Sequence, residues 1–189
     1  MKLNKDTKKE VIKVDLREVR EFIIDTSKYI LTIVVVIFIV MYVATVQQIV
    51  GPSMDPTYKD QDIVILNKLH YRLFETKRFH VVSLKYDGSK YLIKRVIGLP
   101  GDKVEYKNNN LFINNKMIEE EFLEENVITE DFSLTSLGYE KIPEDMYLVL
   151  GDNRENSLDS REIGLIKAED ILGKISLRIW PINKFGIVK

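Results

Sequence analysis

Residues 29–46, Tyr-Ile-Leu-Thr-Ile-Val-Val-Val-Ile-Phe-Ile-Val-Met-Tyr-Val-Ala-Thr-Val, run for 18 residues without a charge. As a helix rising ~1.5 Å per residue they cover roughly 27 Å, the scale of a thin hydrocarbon core. A buried helix of a soluble domain would show a polar side, and this run has none. The apolar stretch also exceeds the ~7–15 residues of a cleavable signal. It reads as an uncleaved anchor over 29–48, with Gln47 and Gln48 at the interface. Residues 1–28 carry eight Lys/Arg and six Asp/Glu. Orientation follows the basic residues flanking a span, so this short leader is expected on the cytoplasmic side. Its Val11, Val14, Val19, Phe22 and Ile23 either line one face of a surface helix or sit in a solvated tail. Residues 49–189 are left for one extracytoplasmic domain of ordinary size.

Composition narrows what that domain can do. The chain has no cysteine, which removes disulfides, thiol catalysis and cysteine–zinc sites. With only His70 and His80, a histidine metal cluster is not expected. A net charge of −1 without a basic stripe gives no support for nucleic-acid binding.

The outer part reads as many short strands. Asp62-Ile63-Val64-Ile65-Leu66 is one. Segments around Phe79-His80-Val81-Val82 and 91–97 flank Asp87-Gly88, a strong hairpin signal. Leu111-Phe112-Ile113 and Met117-Ile118 flank Asn114-Asn115 and predict another hairpin. Met146–Leu150 ends at Gly151-Asp152, and a last strand over 171–180 is closed by Pro181. The pattern predicts an all-β sandwich or barrel-like domain. The stretch 119–131 holds seven acids and no base, and its default reading is a solvated excursion or short helix.

Three segments carry chemical promise. Lys94 lies in Tyr91-Leu92-Ile93-Lys94-Arg95-Val96-Ile97-Gly98, and on a strand it shares a face with Leu92 and Val96. If that face is the core, desolvation lowers the lysine pKa and allows it to serve as a general base. If the strand lies at an edge, Lys94 snorkels into water. Ser53 sits in Gly51-Pro52-Ser53-Met54-Asp55-Pro56-Thr57, where two prolines stiffen the backbone. Serine needs a base to become a nucleophile. The third segment, 151–161, is almost entirely polar or glycine. Its Asp152, Arg154, Asp159 and Arg161 could cross-link a loop, and Ser157 and Ser160 could bond a buried amine. A triad would need His70 or His80 beside Ser53, and both sit in apolar, strand-like surroundings.

Together the three segments resemble the bacterial type I signal peptidases, Ser/Lys endopeptidases that remove signal peptides from exported proteins. Ser53-Met54-Asp55-Pro56-Thr57 is similar to the nucleophile box. Residues 94–102, Lys-Arg-Val-Ile-Gly-Leu-Pro-Gly-Asp, are similar to the lysine box. Residues 151–161 are similar to the Gly-Asp-Asn-Arg…Ser…Asp-Ser-Arg box. Residues 60–66 fit an intermediate box loosely. The single span and small size resemble the Gram-positive form.

The resemblance implies a signal peptidase-like β fold and roles for individual residues. Ser53 would be acylated and Lys94 would be the base. Ser157 would orient the lysine amine, Asp159 would pair with Arg161, and Asp152 with Arg95. Met54 would lie near substrate. Some relatives carry a hydroxyl two positions before the nucleophile, where this chain has Gly51; the oxyanion hole would then rest on main-chain N–H groups, that of Ser53 included. Substrates would be preprotein signal peptides cut after small residues such as alanine. The lipid bilayer and the secretion translocon would be the partners, with no cofactor and no metal. The alternatives are a self-cleaving Ser/Lys protease and a non-catalytic anchored β module that binds envelope peptides.

Overall fold

The computed structural model describes residues 16–88 and 90–187. The chain falls into two compact units, Met1–Ile39 and Val40–Lys189. The described part of the first unit is a helix, α1, over Leu16–Phe38, whose apolar residues are all exposed. A π-helical stretch, Ile39–Val43, follows it, with Ile39 the last residue of the first unit and Val40 the first of the second. Leu16–Val43 is long and apolar enough to cross a membrane. The helical run therefore differs from the expected 29–48 at both ends. It starts within the charged leader, taking in Val19, Phe22 and Ile23; Val11 and Val14 lie outside the described residues. It stops at Val43, because Ala44–Gln48 leave the helix and pair as strand β1.

The second unit is built on β-sheets. Its elements are β2 Ile63–Asn67, α2 Lys68–Leu73, β3 Val81–Tyr86, β4 Lys90–Gly98, β5 Val104–Lys107, β6 Asn110–Ile113, β7 Lys116–Ile118, β8 Phe132–Ser133, β9 Met146–Leu150, α3 Ser160–Ile163, β10 Ile166–Lys167 and β11 Ile171–Trp180. Seven strands form one sheet in the order β1-β2-β11-β3-β4-β9-β10, and four form a second in the order β7-β6-β5-β8. The expected strands all form. The Asp87-Gly88 hairpin joins β3 to β4, with Asp87 and Gly88 at φ 47° and 72°, the left-handed values such a tight turn requires. Asn114 and Asn115, at φ 52° and 65°, turn β6 into β7. His70 departs from the strand reading, since it lies in α2.

β4 lies inside the large sheet, not at an edge. Its neighbours are β3, with Val82 opposite Lys94, and β9, with Leu150 opposite Arg95. Both of its faces are covered. Ile93 joins a core cluster with Ile49, Met54, Tyr58 and Val64, while Val96 packs with Val82, Leu84 and Val149. A third cluster, between Ile97 and the small sheet, holds Tyr106, Leu111 and Leu148. Every residue from Ile93 to Gly98 is buried, so the edge alternative for Lys94 is removed.

The acidic stretch 119–131 is more than a solvated excursion. Glu120 accepts from Arg154 Nη2 at 2.6 Å and from the Tyr106 hydroxyl at 2.8 Å. Phe122 stacks on the Arg95 guanidinium at 3.9 Å, and Thr129 is buried. A buried arginine needs an anionic partner, and this segment supplies it.

Candidate active site

The loop that carries Ser53 closes on itself. Ile49 N donates to Asp62 O at 2.8 Å and Gln61 N donates back to Ile49 O at 2.9 Å, so both ends of the loop share one register. Inside it, Asp55 N donates to Pro52 O and Tyr58 N to Met54 O. Gly51, at φ 87°, takes a conformation open to glycine, and its N–H donates to Asp60 Oδ1 at 2.8 Å. Met54 and Tyr58 are 1% exposed and pin the loop to the core. Asp62 ties it to β11 through Arg178, at 2.8 Å. Short range and long range thus agree on one conformation, which holds the Ser53 side chain in place.

Strand β4 brings Lys94 underneath. The lysine is 1% exposed; its Nζ donates to Ser53 Oγ at 2.7 Å and to Ile93 O at 3.0 Å. Burial lowers the amine from its ordinary 10.5 to about 8, against an upward pull from Asp159 and Asp152. An amine so placed is partly neutral in mildly alkaline water and within reach of the serine proton.

Segment 151–161 forms the third wall. Asp152 is fully buried and grips Arg95 with both oxygens, Nε to Oδ1 at 2.8 Å and Nη2 to Oδ2 at 2.6 Å. Asp159 pairs with Arg161 through Nε at 2.9 Å and Nη2 at 2.8 Å, and also accepts from Gly151 N. Burial pushes the Asp159 carboxyl up, but the Arg161 and Gly151 donors outweigh it and hold it below the usual range. The two ion pairs named in the sequence are therefore present.

Ser157 stands differently from its implied role. Its hydroxyl oxygen is buried but makes no hydrogen bond among the described residues, to Lys94 or otherwise. It lies beside Asp159 and adds to what holds that carboxyl low. Ser160 faces elsewhere and accepts from Val149 N at 3.0 Å. His80 does not join Ser53: its ring meets Lys174 Nζ at 3.1 Å and the Lys77 N–H at 3.3 Å.

Three contributors escape a reading of the sequence. Thr57 donates to Asp152 Oδ2 at 2.5 Å and so joins the Ser53 loop to the Arg95 pair. Asn153 holds the same loop from the other side, its N–H donating to Ser53 O at 3.1 Å and its amide to Pro52 O at 3.2 Å. Gly151 is where these pieces meet, and a Cβ there would collide with Ser157 Oγ and the Ser53 carbonyl. Thr57 and Gly151 lie within recognisable segments, but their work depends on neighbours far off in sequence.

Beside Ser53 opens a cleft of about 510 Å³. Gln47, Gln48 and Val50 line it together with Tyr91, Leu92 and Ile93, and Ser53 and Lys94 open into it. β1 is the edge strand of its sheet. β4 pairs with β9 only from Arg95 onward, leaving its 90–94 backbone open on that side. Two strand stretches with an open edge, one from β1 and one from β4, therefore contribute to the cleft. Among the described residues no group of His, Asp and Glu has the arrangement of a metal site.

Comparison with known proteins adds the family. The family model described as signal peptidase, peptidase S26, matches residues 23–180. Signal peptidase IB of Staphylococcus aureus (strain Mu50 / ATCC 700699) is 42% identical over 164 residues, covering 80% of this chain and 86% of the relative. Signal peptidase I of Bacillus caldolyticus is 38% identical over 144 residues, 72% of this chain and 79% of that one. Among solved structures, a signal peptidase I from Enterococcus faecalis V583 is similar with a TM-score of 0.50 and 33% identity, covering 55% of this chain and 98% of that one.

Proposed function

The chain belongs to the signal peptidase family, peptidase S26, and on that premise we propose that its serine peptidase activity removes signal peptides through a Ser53–Lys94 dyad held at the outer membrane surface. The observation that carries this reading is the 2.7 Å separation of Lys94 Nζ and Ser53 Oγ in a buried site.

When the amine is neutral, the Ser53 hydroxyl donates to Nζ, and the proton transfers as Oγ attacks the scissile carbonyl. The oxyanion that forms faces main-chain N–H groups. The Ser53 N–H is a candidate because it makes no hydrogen bond among the described residues. With glycine at 51 there is no side-chain hydroxyl to add to it. The Lys94 ammonium next gives its proton to the departing amine. Water, deprotonated by the same lysine, hydrolyses the acyl-enzyme and frees the signal peptide. Arg95–Asp152 and Asp159–Arg161 hold the lysine strand and the 151–161 wall in register.

Substrate binds extended in the cleft, adding a strand between the free edges at 47–50 and 90–94. Shallow room beside Ser53 selects small side chains just before the cut. Leu16–Val43 is the anchor, with residues before it cytoplasmic and the β domain outside. β1 follows Val43 directly, so the enzyme meets signal peptides still seated in the bilayer, close to where a translocon delivers them.

The test is incubation of the detergent-solubilised full chain with a preprotein, followed by mass measurement of both products. A single cut after a small residue is expected, with none from Ser53→Ala. Cleavage by that variant, or cuts scattered through the mature part, would overturn the dyad or the specificity.

A further inference from the structure

The segment that follows β2 is not used by the chemistry above, yet it sits where the span ends. Ala44, the first residue after the helical run, pairs with Asn67. Lys68, the next residue, donates through Nζ to the carbonyls of Val40 and Met41 at 3.3 and 3.5 Å. These are carbonyls of the last helical turn, the negative end of the helix dipole, which draws a cation. α2 therefore begins beside Val40, Met41 and Ala44, where the helical run ends. Leu69 and Leu73 lie four apart on it, on one face, and are 38% and 65% exposed; Phe74, next in the chain, is 60% exposed. Large apolar side chains this exposed beside a membrane exit are unfavourable, and the bilayer interface removes that penalty.

The charges nearby have the sign an anionic surface needs. Lys77 is exposed three residues beyond Phe74. Lys174, the β11 residue opposite Asn67, contacts the His80 ring. Burial, and after it the neighbouring Lys77, lower the Lys174 amine, so Lys77 and Lys174 stand near one another. Glu75 is the one exposed acid in the 68–77 stretch. Arg78 is committed to Asp102 and Ile97 O and is not counted.

We propose that α2 with Phe74 is an interfacial foot: Leu69, Leu73 and Phe74 bed in the outer leaflet, and Lys68 and Lys77 bind the phosphates of anionic phospholipids. The foot fixes the height of the β domain above the bilayer, and with it the depth at which the Ser53 cleft meets a signal peptide. The proposal rests on Leu16–Val43 being the anchor.

The absence of cysteine makes the test clean, because single-cysteine variants label at one place. Leu73→Cys, Met117→Cys and Val34→Cys in the full chain would each carry pyrene, in nanodiscs containing doxyl-labelled lipid. The discs would be phosphatidylcholine alone or with phosphatidylglycerol. Quenching at 73 is expected to exceed that at 117, an exposed β7 site, and to grow with phosphatidylglycerol. Lys77→Gln should weaken the anionic dependence by about fivefold, the worth of one lysine near such a surface. Quenching at 34 but none at 73 in either disc would overturn the foot and leave the anchor standing. No quenching at 34 would overturn the anchor and the foot together. Pyrene excimers at 73 without lipid quenching would put a second copy of the chain there and overturn the lipid assignment. Cleavage of a soluble peptide by each labelled variant confirms that it is folded.

Discussion

The Thr57 hydroxyl donates to Asp152 Oδ2 at 2.5 Å, across 95 residues of sequence, and the same carboxylate holds Arg95, the neighbour of Lys94. One short bond thus joins the Ser53 loop to the Lys94 strand. Thr57→Val keeps the shape and loses a hydrogen bond to a charged acceptor, worth about 1.5–3 kcal/mol. We expect kcat to fall at least tenfold with KM little changed, and Thr57→Ser to restore most of it. Steady-state kinetics on a soluble peptide, read beside the melting temperature, checks this. An unchanged kcat in Thr57→Val would mean the bond positions nothing.

Lys94→Met should be inactive but no less stable than the parent at pH 7. Below pH about 8 the amine is protonated in the folded and unfolded chain alike, so the full penalty of burying its charge is present. As pH rises from about 8 towards the ordinary 10.5, the folded protein has shed the proton that the unfolded chain still binds, and the penalty fades. At 1.36 kcal/mol per pKa unit the gain from methionine is up to about 3 kcal/mol, and it should shrink across that window. Denaturant unfolding at pH 7 and pH 10 measures the difference. A variant less stable at pH 7 would contradict the burial of an ammonium.

The same shift sets the pH profile. kcat/KM should rise with pH and bend near 8, where Lys94 becomes neutral. The limb should survive in a His70/His80 double variant, since the described His80 ring faces Lys174 and not Ser53. A limb that disappears with the histidines would move the general base away from Lys94.

Gly151→Ala should damage both activity and stability. The added methyl would stand 2.6 Å from Ser157 Cβ and closer still to Ser157 Oγ and Ser53 O. Overpacking of this kind costs about 1–3 kcal/mol, and relief comes only by moving the nucleophile loop or the 151–161 wall. Gly138→Ala is the control: it sits at φ 85° with open space around it, so it strains the backbone away from the site. Equal activity in the two variants would remove the close-approach argument.

How much of this was legible depended on range. The Asp87-Gly88 and Asn114-Asn115 hairpins announce themselves, because the turn residues and the alternating strands lie side by side. The Ser53 loop reads as rigid from its two prolines. The burial of Lys94 does not, since a mixed strand looks the same at an edge or in the middle; only β9, more than fifty positions away, closes its second side. β8 and β10, two residues each, exist only through the partner strands that select them. Glu120 reads as one acid among seven until Arg154 arrives from 34 residues away. Residues 44–46 continue the uncharged run of the helix before them, and the pairing of β1 with β2 decides the boundary.

That boundary yields the last prediction. Removing residues 1–43 takes away the helical run and leaves β1 whole. Such a domain should fold and cut a soluble peptide slowly, while losing most of its advantage on preproteins held in vesicles, since the anchor confines enzyme and substrate to one plane. Removing residues 1–48 also takes Gln47 and Gln48, which line the cleft, and bares the edge of β2. It should lose peptide cleavage altogether and melt lower. Protease added to intact spheroplasts completes the test by digesting the β domain of the full chain and sparing the residues before Leu16. If the two truncations cut the peptide equally well, β1 is part of the anchor and not of the catalytic domain. A β domain protected in spheroplasts would place the cleft on the wrong side of the membrane for exported preproteins.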